Sequence, residues 1–206
     1  LERMGFTDPA SVSERIRVWH HGRYRATRSE RARQLLTDLG PALLTAFAET
    51  AQPDDAFKRF DRFLEAVPAG VQLFSLILAN PPLLGVIAEI MGMAPTLAAH
   101  LGMNPALFEG LLTHDIAVGL PGSVDLADEL EGDLRREPSY EEVLDSARRW
   151  INERRFQVGV QVLRGQIDTE HSGRTMSDIV DVAIQCLLPR VEEEFGRCDG
   201  SPRFVV

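Results

Sequence analysis

Cysteine is nearly absent: Cys186 and Cys198 are the only two in 206 residues. Two are too few for a disulfide scaffold, and a chain of this length can hold its fold with a hydrophobic core alone. The expectation is a pair of reduced thiols in a cytoplasmic protein. Lysine is scarcer still; Lys58 stands alone and arginine carries the remaining basic charge. No continuous apolar run is convincing as a membrane span. Residues 71–88 lack charge, but Asn80-Pro81-Pro82 interrupts them, and two prolines remove donors and force the preceding residue out of the helical region. They read as two short core helices, with no membrane partner. The opening Leu1-Glu2-Arg3-Met4-Gly5 has no apolar run behind it, so no signal peptide is expected, and a start on Leu suggests a piece of a longer polypeptide. Alternating apolar and polar residues are missing until the last few positions. A Gly-rich phosphate loop and a nucleophile in a strained turn are missing too. Cys186, Cys198 and His171 lack zinc-ligand spacing, and His100 and His114 are isolated. Catalytic residues, metal ligands and cofactors are therefore not expected in this segment. The formal charge of −9 argues against a globally basic nucleic-acid binder.

What is present is helical periodicity almost throughout, and the predicted class is all-α: an irregular bundle of short helices followed by a long C-terminal helical hairpin. Asp8-Pro9 reads as a cap followed by proline in the first turn. Ser29 caps a helix that Gly40-Pro41 should stop, with Pro41 opening another. Pro53 opens a helix whose Phe57, Phe60, Phe63 and Leu64 form an apolar stripe. Short proline-started helices should follow over 73–79, 83–91, 95–101 and 105–112, too irregularly spaced for a solenoid and too short to stand alone. Residues 113–122 read as a loop. Beyond it come an acidic helix over 123–136, a helix capped by Ser139 with Glu142 three residues on, and a last helix starting between Thr175 and Asp178 and kinked at Pro189. The expected division is a short-helix bundle with a basic N-terminal segment over 1–117, the acidic helix and hairpin over 118–198, and a linker or start of another domain over 199–206.

Charge is divided unevenly. Residues 1–37 hold eight arginines against four acids, a net of +4, while the remainder carries −13. Within the basic segment, Arg23, Arg25, Arg28 and Arg31 follow Trp19, His20 and His21. They are the candidate binding residues, placed to dock on an acidic surface of the same protein or of a partner, and the alternative is a solvated helix face. Gly122-Ser123-Val124-Asp125-Leu126-Ala127-Asp128 imitates a nucleotidyltransferase site, in which a Gly-Ser turn precedes two carboxylates that bind magnesium from one face of a strand. Here the acids are three apart, which on a strand puts them on opposite faces, and the surrounding period is helical. An N-cap serine explains the pattern better.

Several stretches, in order, resemble one family. They are residues 19–29 (Trp19-His20-His21-Gly22-Arg23-Tyr24), 60–64 (Phe60-Asp61-Arg62-Phe63-Leu64), 70–76, the segments around Asn80-Pro81 and Ala94-Pro95, 155–159 with 163–165, Ser177-Asp178-Ile179 and Leu187-Leu188-Pro189. This set is similar to the bifunctional glutamine synthetase adenylyltransferase/adenylyl-removing enzyme of bacteria. The resemblance implies the helical segment between two nucleotidyltransferase domains, one attaching AMP from ATP to a tyrosine of glutamine synthetase and the other removing it. It implies ATP and magnesium for the whole enzyme, none for this segment. It also implies three partners: the enzyme's other domains, glutamine synthetase and the PII signal protein. The closing Arg203-Phe204-Val205-Val206 would then be the first strand of the second catalytic domain. A regulatory relay is expected, with the hairpin as an arm and Pro189 or residues 113–122 as a hinge. The rival reading is a stand-alone helical scaffold for a protein partner, without catalytic activity.

Overall fold

In a computed structural model of the chain, residues 1–104, 107 and 122–196 are described. Every regular element among them is a helix, so the protein is all-α. The chain divides into two compact units, Leu1–His114 and Asp115–Val206.

The first unit is built on a repeated joint. Helices α1 (Pro9–His20), α3 (Pro53–Ala66), α5 (Pro81–Met93) and α6 (Pro95–Met103) all begin on proline. The residue before each takes nearly the same backbone: Asp8 at φ −125° and ψ 70°, Gln52 at −138° and 78°, Asn80 at −130° and 76°, Ala94 at −124° and 76°. Proline's ring clashes with a helical predecessor, so the preceding helix must stop, while the ring's fixed φ suits the first turn of the next. Asn104, before Pro105, repeats the geometry at −132° and 72°. Asn80 and Asn104 also donate from Nδ2 to the carbonyls of Leu76 and His100, satisfying helix-end acceptors.

The remaining helices are α2 (Glu30–Ala48) and α4 (Gly70–Ala79). The expected break at Gly40-Pro41 does not occur, and α2 runs through it. Proline inside a helix costs about 3 kcal/mol and glycine about 1. Burial of Leu36, Leu39, Leu43 and Phe47 along one unbroken face offsets that cost. Helix α2 packs on α4 and α5, and α3 on α5 and α6. An aromatic cluster fills the centre: Phe60 lies 5.4 Å from Phe47, 5.9 Å from Phe63 and 6.0 Å from Trp19, and Trp19 stacks on Phe57 at 5.0 Å. Gly70 opens α4 against the turn Arg25–Thr27; a Cβ there would lie 2.0 Å from the Ala26 carbonyl oxygen. Helices α4 and α5 meet at 113°, and no single helix among the described residues is long and apolar enough to cross a membrane.

The second unit holds α7 (Ser123–Leu134), α8 (Tyr140–Leu163) and α9 (Thr169–Phe195). Ser139 caps α8 as expected, accepting from the Glu142 amide and donating to its Oε2 at 2.7 Å. Gly165, at φ +65°, closes α8 in the left-handed region that glycine adopts freely. Helix α9 starts six to nine residues earlier than expected. Asp168 caps it through the His171 amide at 2.7 Å, and Gly173 sits inside the helix with open space beside it. The Tyr140 and Phe195 rings meet at 5.5 Å, so α8 and α9 run antiparallel as the expected hairpin. Leu126, Leu130 and Leu134 of α7, Val143, Ala147 and Trp150 of α8, and Ile179, Val182 and Ala183 of α9 form one largely aliphatic seam. The expected helix over 105–112, most of the loop over 113–122, Cys198, His114 and the closing strand lie outside the described residues.

Candidate functional site

The basic segment is held by residues of opposite habit to the arginines. Tyr24 leaves α1 in extended conformation, Arg25–Thr27 forms one 3₁₀ turn, and Ser29 caps α2 by accepting from the Ala32 amide at 3.1 Å. Ala26 and Thr27 are buried. Around them and the cap, Arg23, Arg25, Arg28 and Arg31 are all exposed. Among the described residues none of the four makes an ion pair; Arg31 donates to Gln34 Oε1 at 3.1 Å. Arg33 turns the other way and donates to the Thr27 and Arg28 carbonyls at 3.2 and 2.7 Å, tying the loop to the start of α2. The result is four exposed arginines on a turn and helix start anchored by buried Ala26 and Thr27.

The support continues inward to Asp61, which the sequence reading quoted without giving it a role. Its side chain is buried on α3, and Oδ1 accepts from Trp19 Nε1 at 2.7 Å and from the Tyr24 hydroxyl at 3.0 Å. Arg15 Nε lies 3.7 Å from Oδ2. Burial and then the Asp61 charge push the Tyr24 hydroxyl pKa up, and Asp61 raises that of Arg15. Tyr24 therefore stays a neutral donor, and the arginine segment is bolted to the aromatic core. The signal for Asp61 was present: it is an acid on the buried face of the Phe57, Phe60 and Leu64 stripe. Nearby, Asp54 accepts from the Thr7 amide and hydroxyl, both at 2.8 Å, and from the Asp8 amide at 3.1 Å. Partial burial alone would raise its pKa, but these bonds favour the carboxylate and hold it below the ordinary value.

In the second unit the magnesium-site mimic is a helix start. Gly122 takes the cap position, Ser123 is the first helical residue, and Asp125 and Asp128 are exposed on α7. Asp128, Asp178 and Asp181 border a depression of about 340 Å³. Among the described residues no group of three His, Cys, Asp or Glu side chains is arranged to hold a metal ion. Cys186 is buried against the Ala127 carbonyl, and burial, then Glu131, pushes its thiol pKa up, away from the reactive thiolate. Among the unit's described residues the buried charge is Arg154. It pairs with Glu129, donates to Gln157 Oε1 at 2.7 Å, and lies 5.8 Å over the Trp150 ring. Sequence reasoning missed it, although Arg154 occupies a core position in the α8 stripe of Val143, Ala147, Trp150 and Val158.

No protein-family model and no solved structure matches this chain. Curated relatives do. Over 98% of its length the chain is 45% identical to the bifunctional glutamine synthetase adenylyltransferase/adenylyl-removing enzyme of Mesorhizobium japonicum, and 42% identical to that of Brucella suis. Over 97% of its length it is 42% identical to that of Rhizobium meliloti. In each case the match spans about a fifth of the relative, so the chain is similar throughout to one segment of a far longer enzyme.

Proposed function

We propose that this chain is a helical regulatory segment of an enzyme that adenylylates and deadenylylates glutamine synthetase. In this reading it carries nitrogen status, signalled by glutamine and PII protein, to nucleotidyl-transfer chemistry housed outside these residues, where ATP and magnesium would bind. The enzyme would work in the cytoplasm. The observation that carries the reading is the exposure of four arginines close in sequence, Arg23, Arg25, Arg28 and Arg31. These residues are held rigidly by Ala26, Thr27 and the Tyr24–Asp61 bond, yet project outward without ion pairs among the described residues. A rigid cationic face meets an acidic domain or partner without first being ordered, so docking differs between two states by the charge presented to it. A coupling of about 1–3 kcal/mol is enough to shift a two-state balance by roughly 5–150-fold.

The test changes all four arginines to alanine in the full-length enzyme. Adenylylation and deadenylylation of glutamine synthetase are then measured against glutamine, PII and uridylylated PII. Both basal rates should survive while the response to effectors shrinks. An undiminished response would defeat the docking role. Calorimetric titration of the 206-residue chain with the same three effectors then identifies which of them it meets directly.

A further inference from the structure

The face of α2 that carries Gly40 and Pro41 borders a trough whose construction the arginine face does not explain. Ile16 and Trp19 of α1 form one wall, Leu36, Gly40 and Leu44 of α2 form the other, and Met4 lies at one end, around a volume of about 490 Å³. The lining is predominantly apolar. Its two hydroxyls are already used: Thr37 Oγ1 donates to the Arg33 carbonyl at 2.8 Å and Thr45 Oγ1 to the Pro41 carbonyl at 2.9 Å. A small-molecule site needs a few convergent polar groups to orient its ligand, and this trough offers only His20 at one end and the Thr37 carbonyl. Gly40 has no atom within 4 Å of where a Cβ would stand, so the trough floor is open beside it. Pro41 has no N–H, which leaves the Thr37 carbonyl without its usual helical donor. A glycine and a proline both weaken a helix interior, and here they stand together where the helix borders this opening.

Charge selects the occupant. His20 lines one end, Arg17 is exposed three residues before it on α1, and Arg33, four residues before Thr37 on α2, already donates to the Thr27 and Arg28 carbonyls. None of the lining is acidic. We propose that the trough docks an amphipathic helix of a protein partner, laying an apolar i, i+3, i+4, i+7 face between α1 and α2 and setting acidic residues beside Arg17 and His20. This inference does not depend on the regulatory reading above, because its test uses only the present chain.

The probe is a displayed library of 16-residue helices, apolar at i, i+3, i+4 and i+7 and randomised among Glu, Lys and Ser elsewhere, selected on the intact chain. Enriched sequences should carry acids clustered at one end. Their affinity should fall at least tenfold for Gly40→Leu, which fills the trough from its open floor, and about three- to tenfold for Arg17→Glu. Circular dichroism should show both variants as helical and as heat-stable as the parent. Three outcomes overturn the proposal: no enrichment, enrichment of lysine-rich helices, or binders indifferent to Gly40→Leu. Sedimentation of the chain alone supplies a fourth. A concentration-dependent dimer abolished by Gly40→Leu would make a second copy the occupant.

Discussion

The two units reach all-α structure by different means. The first uses six helices of 9 to 19 residues among its described positions, turns its corners at prolines, and fills its centre with tilted phenylalanine rings around Phe60. Helices this short are marginal alone, so their stability comes from mutual packing. The second uses three helices among its described positions, two of 24 and 27 residues, with a largely aliphatic seam and one buried arginine. The difference teaches where each unit is vulnerable. One depends on the shape of its aromatic centre, the other on the pairing of a charge.

The comparison breaks most visibly at those centres. Phe60→Ala should cost about 3–5 kcal/mol, read by denaturant unfolding, with lost amide-exchange protection concentrated in α2, α3 and α5. If protection in α8 and α9 fell equally, the contrast between the units would be wrong. Arg154→Ala is the matching lesion in the second unit. It leaves Glu129 without its partner and empties a filled core position, and about 3 kcal/mol of stability should go, with the exchange loss now in α7 and α8. A neutral result would show that the charge pair contributes nothing to the seam. Gly70→Ala forces the Ala26 carbonyl and the Phe74 ring away from the new methyl and should cost about 1–3 kcal/mol. The same change at Gly173, where space is open, should be neutral or slightly stabilising.

The smallest effect follows from Asp54. Its pKa is depressed in the folded protein, so its contribution is complete at neutral pH, above the unfolded carboxylate value, and is lost as pH falls below about 4 through the folded value. Because the group is exposed, less than about 1 kcal/mol is at stake. Protection of the Thr7 and Asp8 amides, taken relative to the intrinsic exchange rate at each pH, should fall in that acid range for the parent. Asp54→Ala should remove that protection at neutral pH as well.

Features governed by neighbours in sequence were legible before the structure. The proline joints, the caps at Asp8, Ser29 and Ser139, and the phenylalanine stripe of α3 need only a few adjacent residues to declare themselves. The two boundaries that differ needed more. Gly40-Pro41 is a strong local stop, and only the buried run from Leu36 to Phe47, packed on other helices, carries α2 through it. Asp168 is an ordinary cap that the glycine at 173 obscured. In the site, the arginine positions could be read directly. Their support could not, because Asp61 gains its meaning from Trp19 and Tyr24, some forty residues away. Arg154 likewise gains its meaning from Glu129 on another helix.

The proline corners carry a consequence for how the chain tolerates change in length. At Asn80 and Ala94 one helix passes into the next through a single residue, with no slack to absorb an insertion. Adding one amino acid within α5 would rotate everything downstream by 100° about its axis and swing Leu101 out of its buried position. The turn over 164–168 has spare residues to take up such an error. Length is therefore fixed as tightly as composition between Gly70 and Met103, while the hairpin retains freedom to grow at its tip.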